Sequence, residues 1–457
     1  MIPLTDAHLT TLREAIAGRV TVHASADYEA QRRALVWNGR PPARYPQLIV
    51  EAHSTADVIA AVNFARRHGL MVSARGTGHS YSAIFLNHGG LQLDLSRIDE
   101  IAVDRLARCV SVGTGARSGP IATALAAQGL AFPVGHDGEV GIGGFLLGGG
   151  LGINCAAWGG MSTFNILAAE VVTADGTRRH VSGSENPALF WALRGGGPGL
   201  PFIVTRFLLS CYDHPGDIVN GSWLFRFADL PPLAQALETV AASLDVRLQI
   251  MIALIPAPPA FAGEGDSRIV ALSAIAFADD PDDTRAMLQP LASLPLFAHA
   301  LAAMGTPVTA FSEIQEQGKT LLVSQRYRTD NVLCNDLGAA VDIMMRHLPV
   351  APSAASVSLI VWRGDKAPAD AAYSVSGRYF ISTYAQWDRE EDDPANARWL
   401  KAYYNEMAAI ATGAYINEFD LEGRSSEAGR CYSAAAYERL RTLRQTYDPD
   451  GLFYHPF

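Results

Sequence analysis

Two glycine-rich segments contain the residues whose types favour ligand chemistry. In the first, Arg75-Gly76-Thr77-Gly78-His79-Ser80, glycines flank a histidine directly after a short apolar run. Such a loop exposes several backbone N–H groups in one concavity, which suits a pyrophosphate. A histidine in a glycine loop is most often only a loop residue, so by itself this segment indicates an anion-binding loop.

The second segment, 141–152, has seven glycines in twelve positions. Glycine this dense lets the backbone approach a ligand closely, at an entropic cost that packing alone rarely offsets. A tight loop between core elements is the alternative. Two glycine loops separated by two predicted strands and a helix favour convergence of their N–H donors on one dinucleotide.

Neither common nucleotide motif fits these segments. A Rossmann G-x-G-x-x-G pattern that starts at Gly141 or Gly148 places Leu146 or Ile153 where the third glycine belongs. A P-loop ending at 318–320 has Glu313 at its first glycine. The dinucleotide site, if present, belongs to another fold.

Composition limits the partners. The 457 residues carry a net charge of −10 without Lys/Arg blocks, which argues against a nucleic-acid or membrane surface. Five scattered cysteines with no C-x-x-C pair argue against a metal site or a disulfide framework. Since the start of the chain does not resemble a signal peptide, we expect a cytoplasmic protein; the oligomeric state stays open.

Hydrophobic periodicity divides the chain near residue 210. Before it, helices are predicted over 55–70, 121–128 and 186–194, and strands over 71–74, 91–95, 107–112, 168–177 and 203–209. After it, long strand-like runs at 248–255, 268–277, 357–362 and 379–384 alternate with helical stretches at 232–244, 284–294 and 335–347. This indicates a second domain whose antiparallel sheet is covered by helices. A last helix is predicted over 437–447.

The order and spacing of several motifs then resemble one family. They are Arg75–Ser80, Val140-Gly-Ile-Gly-Gly144 with Gly148–Gly150, Val171–Gly176, Leu189–Gly197, Tyr415-Ile416-Asn417 and Tyr447–Phe453. Together they resemble the FAD-linked oxidases of the vanillyl-alcohol oxidase superfamily, in the berberine-bridge-enzyme-like branch, over nearly the whole chain.

The resemblance implies an α+β fold with a PCMH-type FAD-binding domain and a substrate domain. The FAD-binding domain is expected over 1–209, as two α+β subdomains of about 1–100 and 101–209. The substrate domain, an antiparallel sheet covered by helices, is expected over 210–411. Residues 412–457 are expected to return to the FAD domain.

The resemblance also assigns the cofactor and its contacts. The family histidine that bonds to FAD is His79 here, while Asp137 stands where many members have a second, cysteine attachment, so a single covalent link is expected. Val140 stands where small or medium side chains admit dioxygen, which favours an oxidase. The expected cofactor contacts are Arg75, Gly76, Thr77, Gly78, His79, Ser80, Gly135, Asp137, Val140, Gly143, Gly144, Gly149, Gly150, Trp158, Val204 and Asn417.

Candidate catalytic groups are fewer. Tyr415 and Asn417 correspond to a family strand that faces the flavin, so we expect them to contact substrate or flavin. The glutamate base that several relatives carry on a roof strand corresponds to Ile360, which puts that base in doubt. We therefore expect oxidation of a C–H bond in a small alcohol, amine, sugar-like or aromatic substrate by hydride transfer to flavin, with dioxygen reduced to hydrogen peroxide.

Three alternatives stay open at this point. The first is a flavin dehydrogenase that uses an acceptor other than oxygen. The second is a flavin-binding protein without catalysis, supported only by the missing glutamate. The third is an NAD-dependent Rossmann enzyme, which the failed glycine pattern disfavours.

Overall fold

The computed structural model describes residues 4–264, 267–364 and 366–456. The first sheet has strands β1 (Val20–Val22), β2 (Leu48–Glu51), β3 (Val72–Arg75) and β4 (Leu91–Asp94), with helices α1 (Asp6–Ala15), α2 (Tyr28–Ala34) and α3 (Thr55–His68). Its order is β1-β2-β4-β3, and β4 pairs in parallel with β2 and β3. The Ser54 side chain caps the start of α3 and Gly69, in the left-handed conformation, ends it as the sequence predicts.

The second sheet is antiparallel, with the order β5-β6-β10-β8-β9. Its region comprises β5 (Ile101–Asp104), β6 (Cys109–Gly113), β7 (Leu130–Ala131), β8 (Ile166–Thr173), β9 (Arg178–Ser182), β10 (Phe202–Ser210) and β11 (Tyr212–Asp213), with helices α4 (Ser118–Ala126), α5 (Ile142–Leu147) and α6 (Pro187–Leu193). The short helix α5 lies inside the segment that was predicted as a glycine loop. Glycines that let α5 pack closely on its neighbours outweigh their low helix propensity.

The third sheet has eight antiparallel strands in the order β15-β12-β14-β13-β17-β18-β16-β19. The strands are β12 (Asp217–Arg226), β13 (Leu248–Pro256), β14 (Arg268–Ala278), β15 (Ala302–Pro307), β16 (Arg326–Cys334), β17 (Val357–Trp362), β18 (Tyr379–Trp387) and β19 (Ala411–Gly413). The helices from here on are α7 (Leu230–Val240), α8 (Pro281–Ala292), α9 (Phe311–Lys319), α10 (Leu337–His347), α11 (Asp393–Met407) and α12 (Ala434–Tyr447). The sequence predicted only four of these strands. The predicted α+β class is confirmed.

The two faces of the third sheet differ in what covers them. One face packs against helices in a core that contains Ile252, Ile360 and Ile381. Because side chains alternate along a strand, their neighbours Leu359 and Phe380 point to the opposite face, which looks onto the first two sheets across a cavity.

The C-terminal segment runs back to the first sheet. The Tyr454 amide donates to the carbonyl of Val72, and the Val72 amide donates to the carbonyl of Leu452, over 2.7 and 2.8 Å. The helix α12 packs against α6. None of the helices in the described parts of the chain is long and apolar enough to cross a membrane.

Candidate active site

A cavity of about 660 Å³ lies between the first two sheets and the third. Its floor comes from the two glycine-rich segments and its roof from β12, β13, β14, β17 and β18. Of the residues expected to contact the cofactor, those that line it are Arg75, Gly76, Thr77, Gly78, His79, Ser80, Gly135, Asp137, Val140, Gly144 and Asn417. The volume lies in the range of cofactor and ligand sites.

The loop after β3 is held in place by Arg75. Its guanidinium forms an ion pair with Asp94 at 2.6 Å and donates to the carbonyls of Leu35 (3.1 Å) and Thr77 (2.9 Å). Gly78 has φ +79°, a conformation that favours glycine, and a Cβ there would meet the Leu35 carbonyl. These contacts fix the direction in which His79 leaves the loop.

His79 is sandwiched between an aromatic ring and a carboxylate. Its imidazole stacks on Trp37 with 4.3 Å between ring centres, and Trp37 stacks in turn on Tyr327 of β16 at 4.9 Å. The His79 Nε2 lies 3.5 Å from Asp137 Oδ2. That nitrogen is buried and has no hydrogen-bond partner of good geometry among the described residues.

The second glycine segment approaches the same loop through α5. A Cβ on Gly141 would collide with the Thr77 side chain, and one on Gly143 would collide with Thr114. Gly144 differs, because a Cβ there would meet nothing within 4 Å and would project into open space at the cavity. Here the missing side chain leaves room for a ligand, whereas the first two glycines serve backbone packing.

Five residues expected to contact the cofactor do not line the cavity in the described structure. Gly143 packs on Thr114, as above, while Gly149 lies against Tyr373 and Met161, and Gly150 lies against Phe145 and Ser162. Val204 is buried in the core of the second sheet. Trp158 stacks on Tyr212 at 5.1 Å, away from the cavity. The cofactor contacts expected of these five residues stay predictions, since motif order does not tell which face a residue takes.

Tyr415 and Asn417 do reach the cavity, although not from a strand. The third sheet's last strand, β19, ends at Gly413, and Ile416–Glu418 form a 3₁₀ turn. The Tyr415 hydroxyl accepts hydrogen bonds from the Leu151 amide (3.3 Å) and from Asn417 Nδ2 (2.9 Å). Asn417 Nδ2 also donates to the Phe145 carbonyl at 3.1 Å, which ties the turn to α5.

The same turn carries a carboxylate that the sequence prediction missed. Glu418 lines the cavity, and its Oε2 accepts from the Ser382 hydroxyl (2.6 Å) and the Tyr384 hydroxyl (2.8 Å) on β18. Burial raises the pKa of Glu418 above its ordinary value, although both hydroxyl donors act in the opposite direction. The only sequence signal was its place directly after the Tyr-x-Asn motif.

Ile360 is not the position from which a base would reach the cavity. Its side chain packs among the helices on the far face of the third sheet, while Leu359 and Val361 on either side line the cavity. The expectation for Ile360 was therefore one residue out of register. The cavity-facing side chains of β17 between 357 and 361 still carry no carboxylate.

Three further polar residues line the cavity. Arg363 donates to the Tyr373 hydroxyl (3.1 Å) and the Gly160 carbonyl (3.0 Å). His136 lies 3.1 Å from the Gln249 amide, and burial lowers its pKa, so the imidazole is neutral at pH 7. Cys155 is a free thiol whose pKa is raised by burial. The sequence reading assigned none of them to the site.

The chain's own residues fit a flavin dinucleotide. A buried histidine nitrogen without a partner, a glycine opening onto the cavity at Gly144, and a braced loop of backbone N–H groups supply an attachment point, space and anion contacts. The fold and this site define a class: dinucleotide-binding oxidoreductases in which a substrate sheet roofs the cofactor.

Comparison with known proteins identifies the family within that class. Residues 46–182 match the model of the FAD binding domain, and residues 414–456 match that of berberine and berberine-like proteins. The FAD-linked oxidoreductase nodO of Hypoxylon pulicicidum is 28% identical over 433 residues, covering 93% of this chain and 94% of that protein. The (R)-6-hydroxynicotine oxidase of Paenarthrobacter nicotinovorans is 35% identical over 206 residues, covering 45% and 44%.

Among solved structures, BBE-like 1 of Physcomitrella patens superposes with a TM-score of 0.84, at 20% identity and 98% coverage of both chains. The chain is an FAD-dependent oxidoreductase that contains a PCMH-type FAD-binding domain and resembles the berberine-bridge-enzyme-like branch. The resemblance read from the sequence motifs is thus confirmed, which excludes the NAD-dependent Rossmann alternative.

Proposed function

We propose that the protein is an FAD-dependent oxidase whose cofactor is attached through one covalent bond to His79. The observation that carries this proposal is the partly buried His79 imidazole at the cavity wall, whose buried Nε2 is unpartnered and lies beside Asp137. When bound, FAD supplies a two-electron acceptor for hydride from a substrate C–H bond. Tyr415 and Asn417 are proposed to orient substrate and cofactor, since both line the cavity.

Among the described residues that line the cavity, Cys155 is the cysteine that could carry a second link. Its thiol lines the cavity, but burial raises its pKa, which keeps it protonated and a poor nucleophile. Asp137 lies next to His79, at the position where many members of the resembled family attach the flavin through a cysteine. These facts support one tether rather than two.

Covalent attachment is tested by the flavin fluorescence that stays with acid-denatured protein. Wild type and Cys155→Ala are expected to retain it, and His79→Ala is expected to lose it while its native form still binds FAD. Flavin that stays bound to denatured His79→Ala would refute the assignment. If that flavin were then lost in the double variant His79→Ala/Cys155→Ala, Cys155 would be the attachment residue.

Dioxygen is the proposed electron acceptor, and a flavin dehydrogenase is the alternative. Val140 lines the cavity, where a medium side chain leaves access for a small gas molecule. With a reducing substrate under air, we expect hydrogen peroxide in a 1:1 ratio to product, and Val140→Leu is expected to slow reoxidation without slowing reduction. Turnover only with an added quinone or dye would favour the dehydrogenase. The five unpaired cysteines support the proposed cytoplasmic location.

A further inference from the structure

We propose that Glu418 is the proton acceptor in substrate oxidation and that the substrate is a mostly apolar alcohol whose hydroxyl meets this carboxylate. The inference rests on the proposed function and deepens it. It replaces the absent roof-strand glutamate with a carboxylate delivered from the opposite side, by the turn Ile416–Glu418.

The turn directs its neighbouring side chains to different walls of the cavity. Asn417 bonds back to the carbonyl of Phe145 in α5, on the cofactor side, whereas Glu418 bonds to Ser382 and Tyr384 on the roof. The Glu418 carboxylate is held at the roof, while its backbone lies beside Asn417. It therefore lies between the roof and the cofactor side of the cavity. This is the place where a substrate must lie between roof and cofactor.

Glu418 has the properties of a general base. Both roof hydroxyls engage Oε2, and no donor among the described residues contacts Oε1, so one oxygen is left for a substrate hydroxyl. Burial raises the pKa of Glu418. A carboxylate with a raised pKa is, in its ionised form, a stronger proton acceptor than an ordinary glutamate.

The other titratable groups facing the cavity are less suited. Burial and the charge of Glu418 raise the pKa of Tyr415, whose hydroxyl already accepts two hydrogen bonds, so it stays a neutral phenol. The pKa of Asp137 is lowered and its carboxylate faces His79. His136 is tied to Gln249. Tyr81 and Tyr384 are buried phenols with raised pKa values.

The roof around Glu418 is mostly apolar. Its apolar lining residues are Met251, Ala253, Leu321, Leu359, Val361 and Phe380. Among the polar residues that line the cavity, Asn220, Ser273 and Gln317 are hydrogen-bonded to one another, over 2.8 Å (Ser273 to Asn220) and 3.1 Å (Asn220 to Gln317). A sugar would leave most of its hydroxyls without partners on such a surface, at a cost for each buried group. An apolar framework with one hydroxyl matches it.

A cationic substrate fits less well than a neutral one, because Arg363 contributes a guanidinium to the same cavity. Its described partners are the neutral groups of Tyr373, Gly160 and Met161, so no carboxylate there cancels its charge. A neutral alcohol avoids that repulsion. We therefore assign the donor group as a hydroxyl rather than an ammonium.

The proposed oxidation removes one proton and one hydride from the alcohol. The substrate O–H bond breaks and its proton goes to Glu418 Oε1, while the C–H bond breaks and hydrogen leaves with the electron pair for the bound flavin. A C=O bond forms, so the alcohol loses two electrons and two protons. Dioxygen takes both electrons and two protons and leaves as hydrogen peroxide.

The test uses the flavin-loaded enzyme and the variant Glu418→Gln, which keeps an amide oxygen for Ser382 and Tyr384 but cannot accept the proton. Glu422→Gln is the matched control, because Glu422 is in the same segment and pairs with Arg40 outside the cavity. The probes are benzyl, cinnamyl and perillyl alcohols, with glucose, cellobiose and benzylamine for comparison. The rate of anaerobic flavin bleaching is recorded across pH.

We expect the alcohols to bleach the wild-type and Glu422→Gln flavin, and Glu418→Gln to bleach at least ~100-fold more slowly with its covalent flavin intact. The wild-type rate should rise with pH to a plateau, and this step should be absent in Glu418→Gln. Tyr384→Phe removes a donor to the ionised carboxylate, so its step should move to higher pH. The infrared band of the protonated Glu418 carboxyl group should titrate at the same pH, independently of turnover.

Bleaching of Glu418→Gln within about tenfold of wild type would overturn the assignment of the base. A Glu418 carboxyl band that titrates at or below the ordinary glutamate pKa would do the same. Bleaching by glucose or cellobiose or benzylamine but by none of the three alcohols would overturn the substrate class. Failure of the proposed function would be a separate result, namely wild-type protein without covalent flavin. The infrared titration would still measure whether the pKa of Glu418 is raised in that case.

Discussion

His79 and Asp137 face each other at the cavity wall, with 3.5 Å between the imidazole Nε2 and a carboxylate oxygen. His79 follows β3, and Asp137 lies between β7 and α5, so the pair joins the two glycine-rich segments. Burial acts to raise the pKa of Asp137, but His79, the Glu139 amide and Lys319 together lower it further than burial raises it. An ionised carboxylate therefore stands beside the proposed attachment point.

Replacement of the Asp137 carboxylate should change how the thermal stability of the protein depends on pH. Because the folded pKa of Asp137 is lowered, its ionised form contributes stability above the unfolded pKa, and this contribution is lost as pH falls through the folded pKa. We expect Asp137→Asn to melt at a lower temperature than wild type at about pH 6, with a difference that shrinks by about pH 3. Differential scanning fluorimetry measures it. A difference that does not depend on pH would contradict the ionised Asp137 carboxylate.

Removal of the ring under His79 should loosen the histidine. Trp37 stacks on His79 and on Tyr327, so it connects the loop after β3 to the roof strand β16. Trp37→Leu is expected to destabilise the protein by about 1–3 kcal/mol and to reduce the fraction of chains with covalent flavin. Trp37→Phe, which keeps a ring, should retain most of both. Equal flavin attachment in Trp37→Leu and wild type would show that the stack does not orient His79.

Two glycines of the second segment should respond differently to alanine. A Cβ on Gly148 would collide with the Asn417 side chain, which holds Tyr415, whereas one on Gly144 would enter only the cavity. We expect Gly148→Ala to lower the melting temperature, and Gly144→Ala to keep the stability of the flavin-free fold but bind less FAD. Gly183→Ala, an exposed position with nothing within 4 Å of the added carbon, is the control. Normal FAD content in Gly144→Ala would contradict the placement of the cofactor beside it.

A buried ion pair holds the segment that carries Glu418. Arg424 Nη1 lies 2.6 Å from Asp330 Oδ2 on β16, and both side chains are almost fully buried. Arg424→Met would leave the carboxylate without its cation, at a cost of about 3–5 kcal/mol. Asp330→Asn in the same chain should recover part of that loss. Thermal and urea unfolding of the two variants measure it, and a double variant no more stable than the single one would argue against the ion pair.

How far the sequence predicts this fold depends on how local the signal is. Helix α3 was predicted almost to its ends, because its hydrophobic periodicity and the cap residue Gly69 are local signals. Strands β12, β15, β16 and β19 were missed, and α5 was taken for a loop. Strand pairing in the third sheet joins residues far apart in sequence, and its apolar runs do not distinguish central strands from other apolar segments.

By itself the sequence determined that His79 lies in a glycine loop after a strand and that the chain resembles a flavin-dependent family, in which Asp137 corresponds to the position of a second attachment residue. These conclusions depend on residue types at fixed spacing, which the sequence contains without any tertiary structure. Only the tertiary structure decided that Ile360 faces the helices, that Trp158 packs away from the cavity, and that Glu418 reaches the roof. The reason is geometric: a one-residue change of register reverses the face of a strand, and a 3₁₀ turn sends neighbouring side chains to opposite walls.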